Sequence, residues 1–309
     1  MRPAVTDRSI AIVIVSYNVQ DELDACLGSL MAQPHDGTRI VAVVDNASSD
    51  GTVEMIRARW PTVRVIESGG NVGFARATNI GIRATDSEFV MLLNPDTLVP
   101  DGSISALAAA LAAHPEAAAA APRLVDGAGR AELSFGWSIS PLGELQQKIA
   151  GALYNRRVGP VVRWVERATR APGEREWASG AALLVRRSDL EKVGLLDERY
   201  FMYTEDVDLC VQLRRRGRKI LFVPQAEIRH LRGRSAARNP ATERLRRRSQ
   251  MAYYEKHHPL WLPLLRLYLA LTGKTWRDEA RDQERPRENG ACRDEARKQE
   301  PPSEVGPYR

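Results

Sequence analysis

The chain has 309 residues, 43% hydrophobic and 27% charged, an ordinary globular composition long enough to bury a large core without disulfide staples. Its three cysteines, Cys26, Cys210 and Cys292, form no CxxC and no metal-ligand spacing; this excludes a disulfide framework, fits a reducing compartment and predicts two buried thiols and one in the tail. The net charge of +6 is concentrated: between Gln212 and Gln250 thirteen Arg or Lys residues face only Glu227 and Glu243, a block suited to nucleic acid, an anionic membrane, a diphosphate, or a solvated helix face.

In chain order, the first apolar run, residues 10–15, is too short for a signal core and reads as a buried strand. Further β-branched runs at 40–44, 63–66 and 89–93 predict strands, and helical periodicity at 19–31, 52–60 and 74–84 fills the gaps. Such alternation predicts a parallel sheet with helices on both faces, whose ligands bind beyond the carboxyl ends of the strands. Polar residues stand at all four of those ends: Tyr17 and Asn18, Asp45 and Asn46, residues 68–71, then Asn94 and Asp96.

The alanine-rich stretch 103–121 has helix propensity throughout, but His114-Pro115 cuts it. A helix to about Ala113, a strand over 117–121 and a turn at Asp126-Gly127 follow. Residues 136–175 are poorly patterned. Beyond them come a strand over 177–185, a helix over 188–193, and a helix opened by Thr204 as N-cap and closed by Gly217. Two short strands are expected at 219–223 and 226–230. Residues 260–272 are apolar but shorter than a membrane span, and read as an interfacial helix or a last core helix. From Lys274 nine basic and nine acidic residues with prolines predict a disordered tail.

Several residues at these positions suit a polar enzyme site. Asp45 can accept hydrogen bonds from a base or ribose, whereas Asp50 reads as an Asx-turn or helix cap. Asp96, stiffened by Pro95, can ligate a hard divalent ion shared with substrate phosphates; an ordinary turn is the alternative. The loop from Gly69 to Arg76 puts backbone amides at a helix start, where phosphate binds, but lacks GxGxxG and P-loop spacing. Glu205-Asp206, behind the aromatic run Tyr200-Phe201-Met202-Tyr203, offers a general base or plain acidic capping. His230 is a possible metal ligand or a structural histidine.

Taken in order, Val15-Ser16-Tyr17-Asn18, the run Val44 to Thr52, Asn71-Val72-Gly73-Phe74-Ala75 with Asn79 and Gly81, Leu93-Asn94-Pro95-Asp96, Ser179-Gly180-Ala181 and Glu205-Asp206-Val207-Asp208 resemble the family 2 glycosyltransferases. The resemblance implies a GT-A fold, a Rossmann-like, mostly parallel α/β sheet over residues 1–235. A C-terminal helical extension at 236–273 and the charged tail at 274–309 follow. It implies donor-nucleotide contacts from Tyr17, Asn18, Asp45, Asn71, Phe74, Arg76, Asn79 and Asn94. It further implies Mg²⁺ or Mn²⁺ on Asp96 and His230, and Asp206 as catalytic base. Trp177, Ser179, Gly180 and Glu205 would line the sugar or acceptor pocket. Asn94 stands where the family's DxD motif has its first acid, a form found among rhamnosyltransferases. The implied substrates are a nucleoside-diphosphate sugar, dTDP-L-rhamnose first, and a lipid-linked or glycan acceptor at the inner membrane face, with no nucleic acid. The competing readings are a sugar nucleotidyltransferase, whose glycine-rich basic N-terminal signature is missing, and a non-enzymatic membrane- or nucleic-acid-binding protein.

Overall fold

A computed structural model describes residues 8–33, 39–136, 141–231 and 240–272. The boundary expected near 235, the tail from 274 and Cys292 lie outside the described residues. Four strands, β1 (Ile10–Ser16), β2 (Arg39–Asp45), β3 (Arg64–Glu67) and β4 (Phe89–Leu93), run parallel in the order β3-β2-β1-β4. Between them lie α1 (Gln20–Met31), α2 (Thr52–Arg59) and α3 (Phe74–Arg83). Both faces of β1 are covered. Ile12 and Ile14 point into one core with Leu23 and Leu27 of α1, while Val13 points into a second with Ile82 of α3.

Past β4 the short β5 (Thr97–Leu98) and α4 (Ser103–Ala113) lead into β6 (Ala117–Val125), every residue of which is buried. Its five alanines favour a helix locally. Pairing on both edges and burial on both faces override that preference. A two-residue β7 (Phe135–Gly136) follows, and then α5 (Pro141–Asn155) and α6 (Gly159–Ala168) occupy the stretch that showed no clear pattern. Their pattern is faint because α5 does not bury its apolar stripe: Leu145 and Ile149 are exposed.

The strand expected over 177–185 is two strands. After β8 (Gly173–Arg175), β9 (Trp177–Ala178) pairs with β7 in a separate ribbon, and β10 (Ala182–Arg186) enters the main sheet antiparallel to both β4 and β6. The chain must leave the sheet between them because the amides of Ser179 and Gly180 bond Ser134 O and Asp206 Oδ2 instead. Beyond α7 (Arg187–Lys192) and α8 (Glu205–Arg215), the two strands expected at 219–230 are one, β11 (Lys219–His230). Its register on β6 shifts between Val223 and Glu227, around Pro224, which has no amide to give the ladder. The nine-stranded sheet is mostly parallel, with β5, β8 and β10 the antiparallel members.

The described chain ends in α9 (Pro240–His257), a single 3₁₀ turn and α10 (Leu262–Leu271). No described helix is long and apolar enough to cross a membrane. Cys26 and Cys210 are buried as expected, each thiol pushed up to about 12 by burial, which makes both inert.

Candidate active site

The carboxyl ends of β1 and β2 form one wall. Asn18, at φ +54, donates its amide to Ser48 Oγ (3.0 Å) and accepts from Ser49 N (2.8 Å) through Oδ1, so it shapes the loop after β2. Asp45 is buried. Its Oδ2 accepts from Ser48 N at 3.0 Å, while Oδ1 has no hydrogen-bond partner among the described residues. A buried carboxylate oxygen left this way is costly unless something binds it, which suits a ribose or base donor. Tyr17, 48% exposed, stands at the mouth. Asp50 takes its helix-capping part, accepting from Thr52 N and Gln20 N.

Asn71 orders the glycine-rich loop by accepting from Asn46 Nδ2 (3.0 Å) and Gly73 N (3.2 Å). Gly73 sits at φ +85, and a Cβ there would lie 2.5 Å from the carbonyl oxygen of Phe201. Phe74 N donates to that same oxygen at 2.6 Å. The loop thereby touches the segment leading to α8. Arg76 is exposed and lies 3.9 Å from Glu198. Asn79 is engaged within the protein. Its buried side-chain amide bonds Leu196 N, Leu196 O and Glu198 Oε1, so it clamps a distant loop instead of facing an open edge.

At the end of β4, Asn94 Nδ2 lies 3.5 Å from His230 Nε2, and Asp96 Oδ1 lies 3.3 Å from the same nitrogen. The other ring nitrogen, Nδ1, meets Glu132 Oε2 at 3.2 Å. Burial works to lower the His230 pKa, but the hydrogen bonds to Asp96 and Glu132 outweigh it and hold the value at about 9. Glu132 carries no motif, and sequence reasoning missed it; only its place after β6 brings it here. No three such side chains among the described residues converge as a cage for an ion. Asp96 nonetheless offers a buried carboxylate oxygen beside Nε2 of His230, a nitrogen that can ligate only once an ion displaces the proton held between it and Asp96. The carboxylate suits a hard ion such as Mg²⁺ or Mn²⁺ completed by water and substrate phosphates, with His230 joining it in its neutral form.

The third wall is the start of α8. Thr204 does not cap it through its side chain as expected; Tyr203 and Thr204 both adopt left-handed backbone, at φ +72 and +74. Such non-glycine conformations cost about 1–3 kcal/mol each and persist where surrounding structure fixes them. They aim Glu205 and Asp206 off the first turn. Asp206 Oδ2 accepts from Gly180 N at 2.8 Å, and Oδ1 from Val207 N at 2.8 Å. Burial raises the Asp206 pKa above its ordinary 3.8, against those two bonds. Burial and the neighbouring Asp206 raise Glu205 well above 4.5, and its Oε2 is buried with no hydrogen-bond partner among the described residues.

One backbone segment ties the end of β4 to the start of α8. Gly180 N holds Asp206, while Ala181 O accepts from Asn94 N at 2.9 Å. A Cβ at 180 would crowd Asp206 Cβ at 3.1 Å, so glycine lets the segment approach Asp206 closely. Ser179 Oγ accepts from Ala181 N, and Trp177 flanks the same segment in the β7–β9 ribbon.

The chain as a whole has counterparts among known proteins. Residues 7–252 match the family model described as "Glycosyltransferase like family 2". The chain belongs to the family 2 glycosyltransferases. An N-acetylglucosaminyl-diphospho-decaprenol L-rhamnosyltransferase of Mycobacterium tuberculosis is 34% identical over 246 residues, covering 75% of this chain and 79% of the relative. The rhamnosyltransferase WbbL of Escherichia coli is 26% identical over 235 residues, 72% of this chain and 83% of WbbL. Among solved structures, a mannosyltransferase of Pyrobaculum calidifontis with GDP-Man and Mn²⁺ superposes with a TM-score of 0.54. It is 17% identical and covers 90% of this chain and 78% of its own. GalNAc-T7 with UDP, GalNAc and Mn²⁺ gives 0.55 at 17% identity, over 72% of this chain and 43% of that one. These neighbours establish the GT-A fold of this transferase.

Proposed function

We propose that this glycosyltransferase moves L-rhamnose from dTDP-L-rhamnose, with inversion, onto a hydroxyl of a lipid-linked acceptor in cell-wall or surface glycan synthesis. One observation carries the reading: the segment Ser179-Gly180-Ala181 couples the carboxylate of Asp206 to the Asn94-Pro95-Asp96 strand end through two backbone hydrogen bonds. A proton acceptor and a phosphate-side group held to one rigid strap are what single displacement needs. The Mycobacterium tuberculosis and Escherichia coli rhamnosyltransferases support rhamnose as the sugar, and the former supports a lipid-diphosphate acceptor.

In this mechanism Tyr17, Asp45 and the loop ordered by Asn18 and Asn71 receive the nucleoside. Asp206 takes the proton of the acceptor hydroxyl as that oxygen attacks the anomeric carbon. The new glycosidic C–O bond forms while the bond to the diphosphate oxygen breaks, and the nucleoside diphosphate leaves with both electrons. A divalent ion on Asp96 and His230 would supply Lewis-acid stabilisation of the leaving charge. The raised pKa of Asp206 brings the base closer to the acceptor alcohol in proton affinity and still leaves it ionised above its own pKa. Residues 1–235 would carry the chemistry and 236–273 a helical extension at the cytoplasmic surface of the cell membrane. The exposed Leu264, Leu267 and Leu271 of α10 support that placement.

Calorimetric titration tests the donor. With Mn²⁺ or Mg²⁺ present, dTDP-L-rhamnose should bind more tightly than UDP- or GDP-sugars, and EDTA should abolish the binding. Absence of binding by every nucleotide sugar in both ions would refute the proposal.

A further inference from the structure

Beside the catalytic walls, and outside the β1–β4 edge, opens a cavity of about 700 Å³ between α5, α9, α10 and the loop after β6. It reaches the site at two points. Glu132, which contacts His230, lies in its wall, and so do Thr204 and Val207, which bracket Glu205 and Asp206. Its other residues have a different character. Arg130, Lys148, Arg157, Arg246 and Arg247 line it, outnumbering the carboxylates Asp126, Glu132 and Glu243.

The cations are held by aromatic rings and long ion pairs. The Arg246 guanidinium lies 4.8 Å over the ring of Tyr203, and Lys148 Nζ lies 5.8 Å over the ring of Tyr268. Arg246 lies 3.8 Å and Arg247 4.0 Å from Glu243. The Arg246 contact is long enough to leave room for a shorter, charge-assisted bond to an anion. Along the same two helices, α5 exposes Leu145 and Ile149, and α10 exposes Leu264, Leu267 and Leu271. The contact between Lys148 and Tyr268 joins the two helices at the cavity. A cationic pocket edged by an apolar band matches a ligand with an anionic head and a hydrocarbon chain.

We propose that this cavity is the acceptor subsite and takes a sugar linked to a lipid diphosphate. Arg246, Arg247 and Lys148 bind the diphosphate, the lipid runs out over the apolar faces of α5 and α10, and the sugar points past Thr204 toward Asp206. The assignment rests on the transferase reading above for the direction of the sugar; the binding of a lipid diphosphate does not depend on it.

Farnesyl diphosphate serves as the probe, titrated in EDTA so that a metal-bound donor site does not compete, with inorganic pyrophosphate and farnesol in parallel. Wild-type protein should bind farnesyl diphosphate at least tenfold more tightly than either fragment. R246Q/R247Q should weaken it tenfold or more, and K148Q, on a separate helix, should weaken it several-fold. Both variants should keep wild-type melting temperatures and wild-type binding of dTDP with Mn²⁺. Unchanged affinity for farnesyl diphosphate in both variants would overturn the assignment. Equal affinity for pyrophosphate and farnesyl diphosphate would also overturn it, as would loss of dTDP binding in the variants, which would put the arginines at the donor. Failure of the wild type to bind dTDP in either ion, with farnesyl diphosphate still bound through these cations, would sink the transferase mechanism and leave the lipid site standing.

Discussion

Glu205 and Asp206 are neighbours in sequence with opposite surroundings. Gly180 and Val207 amides serve Asp206, while Glu205 is buried and its Oε2 has no hydrogen-bond partner among the described residues. A carboxyl raised in the folded state binds its proton more tightly there than in the unfolded chain. Stability is therefore full below about 4.5 and falls as pH climbs toward the raised value. The substitution E205Q removes that loss. Its unfolding free energy, relative to wild type, should gain about 1–3 kcal/mol between pH 4 and pH 8, the usual cost of a buried unsatisfied polar group. Urea unfolding at the two pH values checks it, and parallel pH profiles for the two proteins would contradict it. By the same logic the acid limb of kcat should lie above the ordinary aspartate value of 3.8.

At the scale of elements, α3 lies so close to β1 and β2 that a Cβ at Gly81 would meet Val13 Cγ1 at 2.5 Å and Val44 Cγ2 at 3.0 Å. The substitution G81A should therefore destabilise by about 1–3 kcal/mol through overpacking, read as a lower urea midpoint with unchanged slope. Helix α9 is fastened to α8, which carries Asp206, through Asp208, which accepts from Lys256 (2.8 Å), Tyr200 (3.2 Å) and Gln212 (2.9 Å) and pairs with His257 (2.5 Å). Legibility in the sequence followed burial. β1, β2 and β4 and the helices between them could be read because both sheet faces impose apolar runs with polar strand ends. The helices α5 and α6 could not, since α5 turns Leu145 and Ile149 outward. The split between β9 and β10 was hidden because the amides of Ser179 and Gly180 serve partners far away in sequence. Asp45, Asp96 and Asp206 stood out as acids at element ends. Glu132 gave no signal, since neither spacing nor neighbours mark it, and the bonds of Asn79 to Leu196 and Glu198, more than a hundred residues on, could not be read from its motif.

Over the whole molecule, the charge and the apolar surface fall together at the C-terminal side. Arg246 and Arg247 lie on α9, and the exposed leucines lie on α10 beside it. Protein with this arrangement should float with vesicles containing anionic lipid, and less with zwitterionic ones. About 1 M salt, where the screening length falls to about 3 Å, should release most of it. Replacing Leu264, Leu267 and Leu271 by serine should reduce flotation several-fold without changing donor affinity. Equal flotation of the variant and the wild type would remove α10 from the membrane contact.

In the proposed mechanism Asp206 takes the acceptor proton while the donor is held elsewhere on the strand edge. D206N separates the two, because an amide keeps the shape and loses the basicity. Single-turnover transfer from dTDP-L-rhamnose should slow by about 10²–10⁴-fold with donor binding unchanged. Near-normal transfer by D206N would contradict the account and move the base to another residue.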